Sequence, residues 1–347
     1  MALELTSLAA LAALDVDEII DVRSPSEYAE DHLPGAVNLP VLSDEERARV
    51  GTIYVQQDRF LARKVGAALV ARNAAHHLEG PLAGKDGGWR PLVYCWRGGQ
   101  RSGSFASILE QVGWRVSLLK GGYRSYRRLV VRALYDAPFP APVVLVDGMT
   151  GTAKTWMLAH LAKAGAQVID LEGLAKHRGS VFGARPGGQP SQKMFESRLA
   201  AEVAALDPAR PVFVEAESAK VGERIVPPAL WAAMKAAPHV RLEAPLEARA
   251  DYLTTAYADL LEDAEALEEV IGKLVPYHGR ETCARWQEMA RAGAFRDLAA
   301  ELVTRHYDPR YAKSAAHRGA PRAVIPMERL DEARLAEGAR RILAAIA

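Results

Sequence analysis

Two short stretches combine residue types and spacings that chemistry needs. The first is Tyr94-Cys95-Trp96-Arg97-Gly98-Gly99-Gln100-Arg101-Ser102. The apolar run Pro91-Leu92-Val93-Tyr94 ends at the cysteine and a helical pattern opens near Ser102, so Cys95 stands just ahead of a helix N-terminus. Backbone N–H groups of a glycine loop, the positive end of the helix dipole, and Arg97 and Arg101 all favour thiolate over thiol there. The same cradle suits an anion bound to, or attacked by, the sulfur. Cys95, Arg97 and Arg101 are therefore the catalytic candidates. A lone cysteine is more often buried and inert, but two glycines and two arginines within the next six positions weigh against that here.

The second stretch, Asp147-Gly148-Met149-Thr150-Gly151-Thr152-Ala153-Lys154-Thr155, follows the β-branched run Val143-Val144-Leu145-Val146. Gly148, Gly151, Thr152, Lys154 and Thr155 have the spacing of a P-loop: a nest of N–H groups, a cation and a metal-binding hydroxyl around a phosphate or diphosphate. Ala153 stands where the last glycine is expected, which is tolerated only with negative φ and a methyl clear of the phosphates. Glu215, closing Pro211-Val-Phe-Val, is the candidate acidic, metal-linked position, with Glu217 beside it; a helix cap or salt bridge is an equal reading. Mg2+ is the ion such a loop would admit. The two cysteines and nine histidines show no zinc spacing, and no metal-ligand cluster is expected.

The elements needed to hold these stretches are legible as an α/β chain of two domains. Ile19–Val22, Gly35–Leu39, Pro91–Tyr94 and Trp114–Leu119 read as strands separated by helical patterns, with Glu79 to Gly88 as a loop. Three prolines between Asp136 and Pro142 mark a linker at 136–141, between a first domain at 1–135 and a second at 142–347. In the second, 143–146, 167–170 and 211–215 alternate with helices in the doubly wound pattern. Residues 245–305 read as helical throughout, Arg322–Pro326 as a last strand, and Asp331–Ala347 as a closing amphipathic helix.

The 347 residues carry 44 Lys plus Arg against 43 Asp plus Glu, a net charge of +1, which excludes a uniformly basic nucleic-acid binder but not a local patch. One such patch is Arg124, Arg128 and Arg132, spaced as one helical stripe, with Arg127, Tyr123 and Tyr126 beside it. A second is the polar loop with His177, Arg178, Gln189 and Lys193. No stretch is long and apolar enough for a bilayer, and the N-terminus lacks a basic region before an apolar core, so a soluble, cytoplasmic protein without membrane contact is expected.

Residues 1–135 resemble a rhodanese domain through Asp21-Val22-Arg23, Glu27-Tyr28, His32-Leu-Pro-Gly-Ala-Val-Asn38, the cysteine loop and Leu119-Lys-Gly-Gly122. Five residues separate Cys95 from Arg101, one more than in many single-domain rhodaneses and equal to the tyrosine-phosphatase spacing, though Tyr94 replaces the usual His. Over nearly the whole chain, the sequence resembles the bacterial tRNA 2-selenouridine synthases, an N-terminal rhodanese-like domain followed by a P-loop NTPase-like domain. The added matches are Gly51-Thr-Ile-Tyr-Val-Gln-Gln57, Leu171-Glu-Gly-Leu-Ala-Lys-His-Arg-Gly-Ser180 and Gln189-Pro-Ser-Gln-Lys193; Ala216 stands where that family usually has a second acid.

The resemblance implies a transferase that replaces the sulfur of wobble 2-thiouridine in tRNA with selenium from selenophosphate. It also implies passage through S-geranyl-2-thiouridine made from geranyl diphosphate. On this reading Cys95 carries selenium as an S-selanyl intermediate, the P-loop holds the diphosphate, and the two arginine patches serve tRNA or the diphosphate. No tightly bound cofactor is expected, and an enzyme supplying selenophosphate is the natural partner. The rivals are an ATP-dependent sulfur carrier or kinase, against which Ala153 counts, a rhodanese-like phosphatase, and a non-catalytic tRNA-binding scaffold.

Overall fold

A computed structural model describes residues 2–315 and 319–346. The chain forms two compact units, one of residues 1–138 with 190–205, the other of 139–189 with 206–347.

The first unit is built on a five-stranded sheet of β1 (Ala2–Leu3), β2 (Glu18–Asp21), β3 (Ala36–Asn38), β4 (Pro91–Tyr94) and β5 (Ser117–Leu119), in the order β1-β5-β4-β2-β3 and parallel throughout. β4 lies in the middle and all four of its residues are buried, as parallel strands covered on both faces must be. Its flanking helices pack Phe105, Leu109 and Val70, and the loop after Gln100–Val112 adds Trp114, onto Ile20, Val22 and Val93. Two helices of the unit have side-chain caps: Ser43 and Glu46 form a capping box at the start of Asp44–Gln56, and Asp58 accepts from the Leu61 N–H at the start of Arg59–Glu79.

Helix Gln192–Ala204 also belongs to this first unit, although the linear reading assigns it to the second domain. The reason is polar as well as apolar. Ser197 donates to the buried Asp31 at 2.8 Å, Arg127 pairs with Glu196, and Tyr135 donates to Glu196 at 2.6 Å.

The second unit is a parallel sheet of β6 (Val143–Gly148), β7 (Gln167–Ile169), β8 (Val212–Glu215), β11 (His239–Glu243) and β12 (Ala323–Pro326), in the order β12-β11-β6-β8-β7. A hairpin of β9 (Lys220–Val221) and β10 (Arg224–Ile225) lies outside it. β6 is central and wholly buried, and chain connections leave it in both directions, the switch point at which open α/β sheets place ligands. The segment from Leu246 to Leu302 is helical and builds its own core around Leu267, Ile271, Trp286 and Leu298. Among the described residues, no helix is long and apolar enough to cross a membrane.

Candidate active sites

Cys95 follows β4 at its C-terminal end, and helix Gln100–Val112 starts five residues later. The thiol is 4% exposed and its sulfur is met by the Gly99 N–H at 3.3 Å and the Ser102 hydroxyl at 3.2 Å. Burial alone would push its pKa up. The Ser102 hydroxyl, the Ser102 and Gly99 N–H groups and the charge of Arg101 outweigh it and hold the thiol below the ordinary value.

The loop is fixed from below by backbone packing. Gly122 has φ +58°, and a Cβ there would stand 2.2 Å from the Cys95 carbonyl oxygen; at Gly98, with φ +67°, a Cβ would stand 2.8 Å from the Leu119 carbonyl. Only glycine permits that approach, which accounts for the paired glycines after Lys120. Arg23, buried, completes the floor: it pairs with Asp21 at 2.6 Å and lies 4.1 Å from the centroid of the Tyr123 ring. The Asp21-Val22-Arg23 signature is thus scaffold beneath the loop.

The two arginines of the loop differ. Arg101 gives its guanidinium to Glu27, at 2.6 and 3.3 Å, rather than to the sulfur, and so acts on Cys95 only through its charge. Arg97 is exposed and has no hydrogen-bond or ion-pair partner among the described residues. Ser102, which the sequence reading did not single out, is the closest side-chain partner of the thiol; a serine two residues into a helix after a Cys-Gly-Gly loop is the signal that was there.

The P-loop follows β6. Lys154 donates to the Gly148 carbonyl at 3.0 Å and the Thr152 hydroxyl to the Met149 carbonyl at 2.8 Å. Ala153 has φ +60°, ψ +35°, contrary to the negative φ expected of it. Its methyl is buried in the core of the unit, so packing holds a left-handed alanine that costs about 1–2 kcal/mol locally. Arg249 braces the loop from behind, donating to the Thr150 carbonyl at 2.8 Å while bound to Asp308 at 2.6 and 3.1 Å. Neither residue carries a motif; only the fold brings them together.

Carboxylates gather at the loop's Thr155. Its hydroxyl donates to Glu172 at 2.8 Å, and Glu215 accepts the Glu172 N–H at 2.8 Å. Burial, then the charge of Glu217, pushes Glu172 up to about 7. Glu215, wholly buried, lies well above the ordinary carboxylate range through burial and the charges of Asp170 and Glu172.

A pocket of about 240 Å³ opens over the loop, lined by Lys154, Thr155, Glu172, Arg178, Arg185 and Tyr257 among others. Arg178 pairs with Asp259 and stacks on Tyr257. The Arg185 Nε is buried without a hydrogen-bond partner. Leu253, Tyr257, Tyr307 and Thr150 also line a neighbouring, almost purely apolar cavity of about 60 Å³ with Phe182 and Leu298.

The remaining candidates disperse. Arg124, Arg128 and Arg132 are exposed, whereas Tyr123 and Tyr126 are buried and offer no stacking face beside them. Arg127 is bound to Glu196 and is part of the packing of its unit. Gln189 donates to the Ala175 and Val221 carbonyls and accepts the Glu223 N–H, a loop clamp. His177 accepts the Gly179 N–H. Lys193 pairs with Glu30, both in the first unit. His306 is buried against His278 at 2.9 Å, with burial and Arg310 lowering its pKa to about 4. Cys283 is buried, and burial pushes its thiol up.

Residues 5–129 match the model of the rhodanese-like domain, and residues 141–274 that of the tRNA 2-selenouridine synthase AAA domain. A tRNA 2-selenouridine synthase of Aeromonas salmonicida is 38% identical over 74% of this chain and 68% of its own. One of Pseudomonas syringae pv. syringae is 34% identical over 87% of this chain and 89% of its own, and one of Cupriavidus pinatubonensis 33% over 87% and 90%.

Proposed function

The chain belongs to the tRNA 2-selenouridine synthase family, and from that premise we propose that it converts the wobble 2-thiouridine of tRNA to 2-selenouridine through an S-geranyl intermediate, with geranyl diphosphate and selenophosphate as co-substrates.

The observation that carries the geranyl half is that the two neighbouring cavities of the second unit share lining residues. One wall set holds Lys154, Arg178 and the unpartnered Arg185 Nε, donors for a diphosphate. The other is apolar and shares Thr150, Leu253, Tyr257 and Tyr307 with it. A ligand with a diphosphate head and a hydrocarbon tail uses both, whereas a nucleotide's polar sugar gains nothing from the second. At about 60 Å³ the apolar cavity is narrow, so the chain enters with Leu246–Ala256 and Phe295–Leu302 moving apart.

In the first step the thiouridine sulfur attacks C1 of the geranyl group, the C–O bond breaks, and the diphosphate leaves with the electron pair. Lys154, Arg178, Arg185 and the loop's N–H groups take up that charge. Thr155 and Glu172 are the residues that would hold a Mg2+ ion, which would supply further neutralisation of the diphosphate charge. In the second step the selenium of selenophosphate attacks C2, the geranyl thiolate leaves with the C–S electron pair, and water attacks phosphorus, breaking the Se–P bond and releasing phosphate. Cys95 handles the selenium donor: its lowered pKa supplies a thiolate, and the loop's N–H groups suit the phosphate end of selenophosphate.

Nucleoside mass spectrometry of 2-thiouridine tRNA, incubated with geranyl diphosphate and then selenophosphate, tests this. Wild type forms both products and Cys95→Ala geranylates without installing selenium. If wild type modifies nothing, the carry-over fails and the ATP-dependent carrier moves ahead.

A further inference from the structure

Helices Asp44–Gln56 and Arg59–Glu79 form a hairpin that turns at Gln57 and Asp58, and its tip is apolar where it meets water: Val55 is 81% exposed, Phe60 72% and Tyr54 47%. Exposed apolar residues are ordinary singly. These three fall within seven positions and sit among cations. From Arg47 to Arg72 there are six basic residues and one acid, Asp58, whose carboxylate is spent capping the second helix. Arg59 lies 5.4 Å from the centroid of the Tyr54 ring, and Arg63 and Lys64 are exposed without a hydrogen-bond or ion-pair partner among the described residues.

The hairpin also walls a pocket of about 250 Å³, room for one nucleobase. Tyr54, Arg63 and Val70 form one side, and Gln100, Arg101 and Ser104 the other. The second group is the start of the helix that caps the Cys95 loop. Aromatic faces, unpaired cations and a base-sized pocket walled by the start of the helix that follows the Cys95 loop therefore occur together in one unit.

We propose that this hairpin is the docking surface for single-stranded RNA, Tyr54 and Phe60 stacking on unpaired bases while Arg63 and Lys64 take backbone phosphates, and that the pocket receives one unstacked pyrimidine at the start of the helix that follows the Cys95 loop. Single-stranded loops are recognised by this combination of aromatic stacking and phosphate charge. The inference rests on the tRNA reading above. It also gives Gly51-Thr-Ile-Tyr-Val-Gln-Gln57 a role that neither active-site loop explains.

The test is a fluorescence titration of the full-length protein with an anticodon stem-loop carrying 2-thiouridine, alongside geranyl transfer by the same preparations. Tyr54→Ala and Phe60→Ala each weaken binding roughly tenfold, with unchanged melting temperature, since both side chains are exposed. Tyr54→Trp and Phe60→Trp bind like wild type. Arg63→Gln and Lys64→Gln each lower the slope of log affinity against log salt by about 1. Alanine variants that bind within twofold of wild type, or tryptophan variants that fail like alanine, overturn the surface and leave the function standing. Unchanged RNA affinity together with loss of a protein contact would assign the patch to a protein partner instead. A wild type that geranylates the stem-loop without a measurable change on any of these substitutions defeats only this inference; one that neither binds nor modifies it defeats both readings.

Discussion

The cysteine loop and the phosphate loop use the same device, a turn of N–H groups between a central parallel strand and a helix, and they are finished differently. Around Cys95 the buried polar groups are paired, the sulfur with Gly99 and Ser102, Arg23 with Asp21 and Arg101 with Glu27, and the exposed Arg97 alone of the loop's cations has no partner among the described residues. At the phosphate loop the buried groups are not all paired. The Arg185 Nε and one Glu215 oxygen are buried without partners, and two carboxyls are driven towards their neutral forms. The first site is built to hold a reactive atom in place; the second is balanced only against the charge of what it binds. On the proposed function, the difference fits a covalent carrier, which needs geometry, and a diphosphate site, which needs unspent donors.

The largest way to break that comparison is to spoil the geometry of the first loop. Gly122→Ala puts a methyl against the Cys95 carbonyl in a left-handed backbone position. We expect a loss on the order of 3 kcal/mol or more of stability in the first unit. Cys95 alkylation should slow to the rate of an unactivated thiol; denaturant unfolding and iodoacetamide kinetics read both. Next, Lys154→Ala should cut geranyl transfer by about 100-fold while Cys95 alkylation stays unchanged, because the cation belongs to the second loop alone. Equal loss of both would sink the division of labour.

A smaller effect sharpens the electrostatic half. Glu172 titrates at about 7 in the folded protein against 4.5 ordinarily. The folded state therefore keeps a proton that the unfolded chain has released between those values. That stabilisation is complete below about pH 4.5 and is lost as pH rises through 7. Glu172→Gln should be more stable than wild type at pH 8 by about 3 kcal/mol and close to it at pH 4.5, as thermal melts at the two pH values would show. The smallest change is Ala153→Gly, which relieves a left-handed alanine. It should gain at most about 1 kcal/mol and leave geranyl transfer intact; a drop in transfer would mean the alanine methyl shapes the phosphate site.

The sequence carried much of this by itself. Continuous apolar runs such as Val143–Val146 and Pro91–Tyr94 can be buried on both faces only in a covered parallel sheet, so both central strands were legible. The glycine-rich turns after them announced their loops because few other arrangements need glycine, cation and hydroxyl at those separations. β1 is two residues long and β11 alternates Arg241 and Glu243 with its apolar positions, too little pattern to stand out from a connection.

What only the tertiary structure decided is which charges are free. Arg124 and Arg127 look alike in the chain, yet one is exposed and the other is taken by Glu196 from a helix nearly seventy positions away. Arg249 and Arg185 carry no motif, yet one braces the phosphate loop and the other lines its pocket. Local sequence fixes backbone turns because torsional preferences are local. The fate of a charge depends on burial and on partners brought from elsewhere in the chain, and those exist only once the fold has formed.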